Sequence, residues 1–255
     1  MLKVLLTKCL RIRLFQSNRV LVVNYFLFTI FIGLLVILLN LGFWQLDRTE
    51  EKKQLIDQMQ TMKQKAPRSL AVLDVPDDYQ EVTFSGQVLA ETVFIANEPN
   101  KGRDGYNVLS LIQISNNTVV WLNRGWVEAL PDRRNLPAVN SLPSQIEARG
   151  EVYYQKGEPV LFDGALQKKS EHTWLLQGFS FKYLNSIPMP SNSKLLPFII
   201  RLDPSSEYGF ERDWQYIAMP PEKHLAYAIQ WFGLAFTLII IFLVTSIKKS
   251  NPDGF

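Results

Sequence analysis

Residues 20–46 read VLVVNYFLFTIFIGLLVILLNLGFWQL and contain no Asp, Glu, Lys or Arg. A second stretch of the same kind, residues 224–247, reads HLAYAIQWFGLAFTLIIIFLVTSI. A helix needs roughly 20 consecutive apolar residues to cross the hydrocarbon core of a bilayer. Both stretches are long enough, so the sequence predicts two transmembrane helices that flank the rest of the chain.

The first apolar stretch is predicted to be a permanent anchor. A cleaved signal peptide has an apolar core of about 7–15 residues, followed by small residues at the cleavage site. The core is longer here, and the stretch NLGFW at residues 40–44 lacks the small-residue pattern. Residues 1–19 leave little room for a mitochondrial presequence, so we expect a bacterial inner-membrane protein that crosses the membrane more than once.

The distribution of charge predicts how the chain is oriented. Residues 1–19 contain several Lys and Arg residues and no acidic residue, and the tail 248–255 begins with two lysines. Short basic flanks stay in the cytoplasm. Both tails are therefore predicted to be cytoplasmic, and residues 47–223 are predicted to form an extracytoplasmic domain. That segment is slightly acidic, so nucleic acid is not an expected partner.

The single cysteine, Cys9, lies in the predicted cytoplasmic tail. The exported segment therefore has no disulfide and must rest on its own core. Copper(I) prefers Cys and Met ligands grouped in space. The lack of a cysteine pair therefore argues against a role in copper delivery.

The exported segment changes its pattern along the chain. Residues 47–65 are strong helix formers without Gly or Pro, which predicts that the first membrane helix continues outward as a polar helix. Alternating or β-branched runs predict strands at 81–88, 92–95, 106–114, 119–127, 146–154 and 196–202, and a short helix is predicted within 180–187. The expected fold is a membrane protein whose two transmembrane helices flank an α+β, mainly antiparallel β domain, built as a sheet or partial barrel.

Side chains that could catalyse a reaction are scarce. The chain contains two histidines, His172 and His224, and no nucleophile elbow, zinc-protease motif or phosphate-binding glycine loop. We therefore expect no catalytic residue and no enzymatic activity. His172 lies in a polar stretch and is predicted to be a solvated loop residue.

The outer end of the second span carries a group of side chains with binding potential. His224, Tyr227, Ala228 and Trp231 fall on one face of a helix. An ionisable group at the edge of a span is a functional hypothesis by default, and a neutral imidazole is a good axial ligand for haem iron. The alternative is an aromatic belt with a histidine among lipid headgroups.

The outer end of the first span carries Trp44 and Arg48, one helical turn apart. Because the two spans run in opposite directions, these residues and His224 are expected at the same membrane face. The guanidinium of Arg48 could pair with an anionic group such as a haem propionate. Alternatively, it is an interface anchor that pairs with Asp47 or with lipid phosphate.

The central stretch Arg124-Gly125-Trp126 lies on a predicted strand. A glycine in a strand usually marks a bulge or a close backbone approach. One interpretation is a core tryptophan packed beside a bulge, and the other makes Arg124 a docking or propionate contact.

Three motifs in order, the central one in two parts, resemble the Surfeit locus protein 1 family of cytochrome c oxidase assembly factors. They are LGFWQLDR at 41–48, GYNVL at 105–109 with LNRGWV at 122–127, and HLAYAIQWF at 224–232. The resemblance covers both predicted spans and the middle of the exported domain. It implies a non-enzymatic factor that assists insertion of haem a into the catalytic subunit of the oxidase.

The same resemblance implies a set of site residues and partners. It makes His224 the candidate ligand of haem iron, with haem a as a transient cofactor. By their chemistry and position, Tyr227, Trp231, Trp44 and Arg48 are further candidate haem contacts. The implied partners are the oxidase catalytic subunit, other assembly factors and membrane lipid. The alternatives are a scaffold that binds oxidase subunits without haem, and a tethered enzyme of the haem pathway, which the scarcity of catalytic groups disfavours.

Overall fold

The computed structural model describes residues 9–13, 19–70, 75–96, 99–132, 135–157, 159–214, 216–217 and 219–249. The chain divides into two compact units. The first, called the helical unit, comprises Met1–Asp57 and Tyr216–Phe255; the second, called the sheet unit, is Gln58–Gln215. Most of the predicted tails 1–19 and 248–255 lies outside the described residues.

The described residues form three helices and eleven strands. The helices are α1 (Tyr25–Gln64), α2 (Phe181–Leu184) and α3 (Pro221–Ser246). The strands are β1 (Cys9–Arg13), β2 (Arg19–Asn24), β3 (Arg68–Ser69), β4 (Glu81–Ile95), β5 (Gly105–Ser115), β6 (Thr118–Glu128), β7 (Gln145–Tyr153), β8 (Leu166–Lys168), β9 (Thr173–Leu176), β10 (Lys194–Leu202) and β11 (Ile247–Lys249).

Helix α1 begins at Tyr25, although the charge-free stretch begins at residue 20. The intervening residues belong to β2, which pairs with β1 and β11 in a small antiparallel sheet. The Asn24 side chain then caps the helix, because its Oδ1 accepts hydrogen bonds from the backbone N–H groups of Phe26 at 2.9 Å and Leu27 at 3.2 Å. The helix continues to Gln64, which confirms the predicted polar extension.

Helix α3 begins at Pro221, three residues before the predicted span. A proline at the first helical position costs no hydrogen bond, because the N–H group it lacks would have no partner in the helix. Both α1 and α3 are long and apolar enough to cross a membrane. Many of their large apolar side chains point outward, with Leu27, Phe236 and Val244 at least 60% exposed.

The sheet unit is built on a closed ring of strands. Within the part of the chain that the structure describes, the strand order is β5-β6-β10-β7-β4-β9-β8, and β4 also pairs with β5 and with β3. The β4–β5 pairing closes β5, β6, β10, β7 and β4 into a five-stranded barrel. Most pairs are antiparallel, and the exceptions are β6 with β10, β4 with β9 and β3 with β4.

The barrel wall is buried on both of its faces. Val120 and Leu122 belong to one apolar cluster, whereas Val119 and Trp121, on the opposite face of β6, belong to a second. The second cluster also includes Leu184 of α2 and Ile187, which cover that face. Because side chains alternate along a strand, this double burial explains why β6 is apolar almost throughout.

The predicted strands correspond well to the observed ones. The runs 81–88 and 92–95 are two parts of the single long strand β4, and the predicted hairpin is β5 and β6 joined at Asn116 and Asn117. The helix predicted within 180–187 is the single turn α2. The short strands β8 and β9 were not predicted.

Candidate functional site

The candidate site in the helical unit centres on His224. The residue is 8% exposed, and its Nδ1 lies 2.8 Å from Oε1 of Gln45 on α1. An amide oxygen only accepts hydrogen bonds, so Nδ1 carries the proton and donates it. The lone pair of the neutral imidazole is then on Nε2. A histidine held in this way through one nitrogen has the tautomer that metal-binding histidines use.

Small residues make room for side-chain packing between the two helices at this site. Gly42, one turn before Gln45, lies against the ring of Phe232, where an added Cβ would be 2.6 Å from Cε1. Ala228, one turn after His224, is 1% exposed. Close packing of membrane-type helices depends on such small side chains. Gly42 thus makes room for the Phe232 ring beside the Gln45–His224 hydrogen bond.

The other predicted site residues lie elsewhere around the helices. Trp44 is 48% exposed and Tyr227 is 44% exposed, and Trp231 is half-buried. Arg48 forms an ion pair with Glu51, and its guanidinium carbon lies 5.7 Å from the centre of the Trp44 ring. The structure thus pairs Trp44 with Arg48 on an exposed face and pairs His224 with Gln45.

Gln45 is the site residue that sequence reasoning missed. It lies inside the motif at 41–48, but its neighbours Trp44 and Arg48 have more conspicuous chemistry. One signal was present, because Gln45 is a polar side chain within the charge-free stretch 20–46. Its partner is 179 residues away in the chain, so spacing alone could not reveal the contact.

The central glycine of the sheet unit lies in a β-bulge. Asn107 pairs with Trp126 while Leu109 pairs with Asn123, so β6 contains one more residue than β5 between these pairs. Gly125 has φ of 110°, and a Cβ on it would be 2.7 Å from the carbonyl oxygen of Glu211. Only glycine adopts this conformation without strain. The predicted bulge and close approach are confirmed.

Arg124 is buried beside this bulge and holds two loops. It is 4% exposed, and it donates from Nε to the Tyr208 carbonyl at 3.0 Å and from Nη2 to the Asn140 carbonyl at 2.8 Å. Its guanidinium carbon lies 4.6 Å from the centre of the Phe210 ring. Burial lowers the pKa of Arg124 to about 10. These contacts assign Arg124 a structural role within the sheet unit.

The two central motifs pack against each other. Trp126 is 6% exposed, and a Cβ at Gly105 would overlap its ring. The interpretation of Trp126 as a core residue beside a bulge is therefore correct.

His172 is paired at the surface: its Nδ1 lies 2.8 Å from Glu91 Oε1. No group of three or more His, Cys, Asp or Glu residues among those described is arranged to hold a metal ion.

Residues 32–236 match the model of the SURF1 family. The chain belongs to the SURF1 family. The matched region contains the Gln45–His224 pair and all three motifs, so the predicted resemblance is confirmed. A SURF1-like protein of Rickettsia felis is 26% identical over 221 residues, which are 82% of this chain and 91% of the relative.

Other SURF1-like relatives are aligned over most of their length. The protein of Rickettsia prowazekii is 26% identical over 251 residues, covering 90% of this chain and 92% of the relative. The protein of Monosiga brevicollis is 22% identical over 241 residues, covering 86% and 87% of the two chains. The similarity thus extends over the helices and the sheet unit together.

Proposed function

We propose that this SURF1 protein is a non-enzymatic assembly factor for cytochrome c oxidase and assists insertion of haem a into the catalytic subunit. The observation that carries the proposal is the family match across residues 32–236. The motifs that resemble the Surfeit locus protein 1 family lie in the middle of α1, at the start of α3 and on the barrel strands β5 and β6.

The proposed location is the bacterial inner membrane. The exposed apolar side chains of α1 and α3 would be unfavourable in water and are suited to lipid. The basic residues of the two tails favour a topology with both termini in the cytoplasm. The sheet unit is then outside, where it and the outer helix ends can meet the oxidase catalytic subunit and other assembly factors.

Haem a is the proposed cargo, and the donor set around His224 fits it. Gln45 fixes the imidazole so that Nε2 is the atom available to haem iron. Tyr227 and Trp231 near the start of α3, and Trp44 in the middle of α1, offer aromatic surface for the macrocycle. Arg48 is the proposed propionate contact, and it would have to exchange its ion pair with Glu51 for one with the haem.

A scaffold that binds oxidase subunits without haem is the second candidate. It is favoured by the burial of His224, which is 8% exposed and whose Nδ1 already has a partner. In that function the Gln45–His224 hydrogen bond would only hold the two helices together. Interhelical polar contacts of this kind are common in membrane proteins.

Purification of the full chain from its own membranes in a mild detergent tests the proposal. The oxidase catalytic subunit should co-purify, and the absorption spectrum should show bound haem a. Co-purification of the subunit without any haem band would favour the scaffold. If neither the subunit nor haem accompanies the protein, the proposed function is wrong.

A further inference from the structure

A cavity of about 290 Å³ lies in the sheet unit, where β5, β6 and β10 run side by side. Its walls include the aromatic side chains of Trp126, Tyr153, Phe179 and Trp214. Ligand pockets are usually about 300–1,000 Å³, so this cavity suits a ligand at the small end of that range. Four aromatic walls suit a flat ring.

Asn123 contributes a buried donor to this cavity. It is 5% exposed, and its Oδ1 accepts the backbone N–H of Gly125 at 3.0 Å. Its Nδ2 has no hydrogen-bond partner among the residues that the structure describes. Asn107, on the neighbouring strand, also lines the cavity and makes no side-chain hydrogen bond within the same residues. Both amides line the cavity, so they can donate hydrogen bonds to a ligand that accepts them.

Arg201 adds positive charge beside these amides. It is the register partner of Asn123 on β10, and it also lines the cavity. Its guanidinium carbon lies 3.6 Å from the centre of the Tyr153 ring and 5.4 Å from that of Trp214. Glu151 is the register partner of Arg201 on β7 but is not part of the cavity wall.

The charges at the cavity disfavour a cationic ligand. Aromatic walls with nearby acids can bind quaternary ammonium groups, and Glu211 and Asp213 do line this cavity. However, Glu211 already pairs with Arg103, and Asp213 pairs with Lys101 at 3.3 Å. The ring of Trp126 is also covered, because the Arg103 guanidinium carbon lies 4.7 Å from its centre. The protein's own cations therefore occupy the places that a ligand cation would take.

We propose that this cavity binds a small planar carboxylate. The carboxylate accepts the Nδ2–H of Asn123 and is attracted by Arg201, and the ring of the ligand packs against the aromatic lining that Arg103 does not cover, on the side of Phe179 and Trp214. This binding activity is separate from the proposed role in oxidase assembly, because the sheet unit contains it without any residue of the helices.

Fluorine NMR line broadening of 4-fluorobenzoate by the purified full chain in detergent tests this proposal. The decisive variant is Asn123→Asp, because it keeps an oxygen for the Gly125 N–H and replaces the donor with a repelling carboxylate. Asn117→Asp is the matched control, since Asn117 lies at the exposed turn of the same hairpin. Asn107→Asp is a second variant that decides the outcome if Asn123→Asp does not fold.

The parent and Asn117→Asp should broaden the resonance equally, and affinity should fall at least tenfold in Asn123→Asp and in Asn107→Asp. The amine 4-fluorobenzylamine should bind less well than the carboxylate. Absence of binding to the parent, parental affinity in the folded variants, or tighter binding of the amine would each overturn the proposal.

Discussion

The hydrogen bond between Gln45 and His224 determines which imidazole nitrogen carries the proton. The bond is 2.8 Å long and lies in a buried position between helices that are far apart in the chain. Because the amide oxygen accepts from Nδ1, Nε2 keeps its lone pair. In the proposed haem site, Gln45 would hold the ligand histidine in this tautomer, so a variant of Gln45 tests the proposal separately from a variant of His224.

Replacement of Gln45 by Leu should lower haem affinity by about 10- to 100-fold, as loss of a partner that orients a metal ligand does elsewhere. His224→Ala should lower it at least as much, and the double variant should be no worse than His224→Ala alone, because the two residues act as a pair. Absorption titration of the purified proteins measures this, with His172→Ala as the unaffected control. If Gln45→Leu binds haem with the affinity of the parent, the Gln45–His224 hydrogen bond serves helix packing and not haem binding.

A side chain at Gly125 should lower the stability of the protein. Gly125→Ala should destabilise the protein by more than the roughly 1–3 kcal/mol expected for a strained backbone, because the new Cβ would also approach the Glu211 carbonyl. Gly157→Ala is the control, since Gly157 also has a positive φ, 75°, but open space around it. Melting temperatures compare the two. Equal losses would show that close approach at the bulge is unimportant.

At the scale of elements, the packing of α1 against α3 depends on where small residues lie. Phe31 stacks on Phe242 with ring centres 4.1 Å apart, and Gly42 accommodates the ring of Phe232. The order of these contacts along the two helices shows that they run antiparallel. The contacts nearest Gly42 are those that bring Gln45 to His224.

Gly42→Leu should therefore separate the helices and lower the melting temperature in detergent. Overpacking of this kind costs about 1–3 kcal/mol, since the Phe232 ring must move away. Gly33→Leu is the control on the same helix, because nothing lies within 4 Å of a Cβ placed there. If the two variants melt at the same temperature, Gly42 does not set the distance between the helices.

The elements that could be predicted from the sequence are those with a residue pattern within their own span. The long apolar runs of α1 and α3 and the alternation in β4 to β7 each carry their own signal. The start of α1 at Tyr25 was not predicted, because Val20–Val23 are apolar enough for either a helix or the strand that they form. The strands β8 and β9 are three and four residues long, too short to show a period.

The candidate site was only partly predictable for the same physical reason. The motifs identified His224, Trp44 and Arg48 as chemically notable residues. The contact between His224 and Gln45 depends on the helix packing, and the loop carbonyls that hold Arg124 are backbone groups without any sequence signature. The cavity at Asn123 joins residues from several strands, so it became visible only in the folded barrel.

For the whole molecule, the distribution of basic residues predicts the orientation of the chain in the membrane. We expect both termini in the cytoplasm and the sheet unit outside. In a Cys9→Ser background, Ser141→Cys should react with an impermeant thiol reagent in intact spheroplasts, because Ser141 is exposed. The control is the unmodified chain, whose cysteine is Cys9, and this thiol should react only after lysis. The opposite pattern would reverse the orientation.

The proposed role in haem a insertion can be measured as the amount of haem a per oxidase catalytic subunit in membranes from which this chain has been deleted. Difference absorption spectra give the haem, and immunoblots give the subunit. We expect the ratio to fall, total haem a synthesis to stay unchanged, and the parent chain to restore the ratio. A deletion strain that assembles the oxidase with full haem a content and activity would contradict the proposed role.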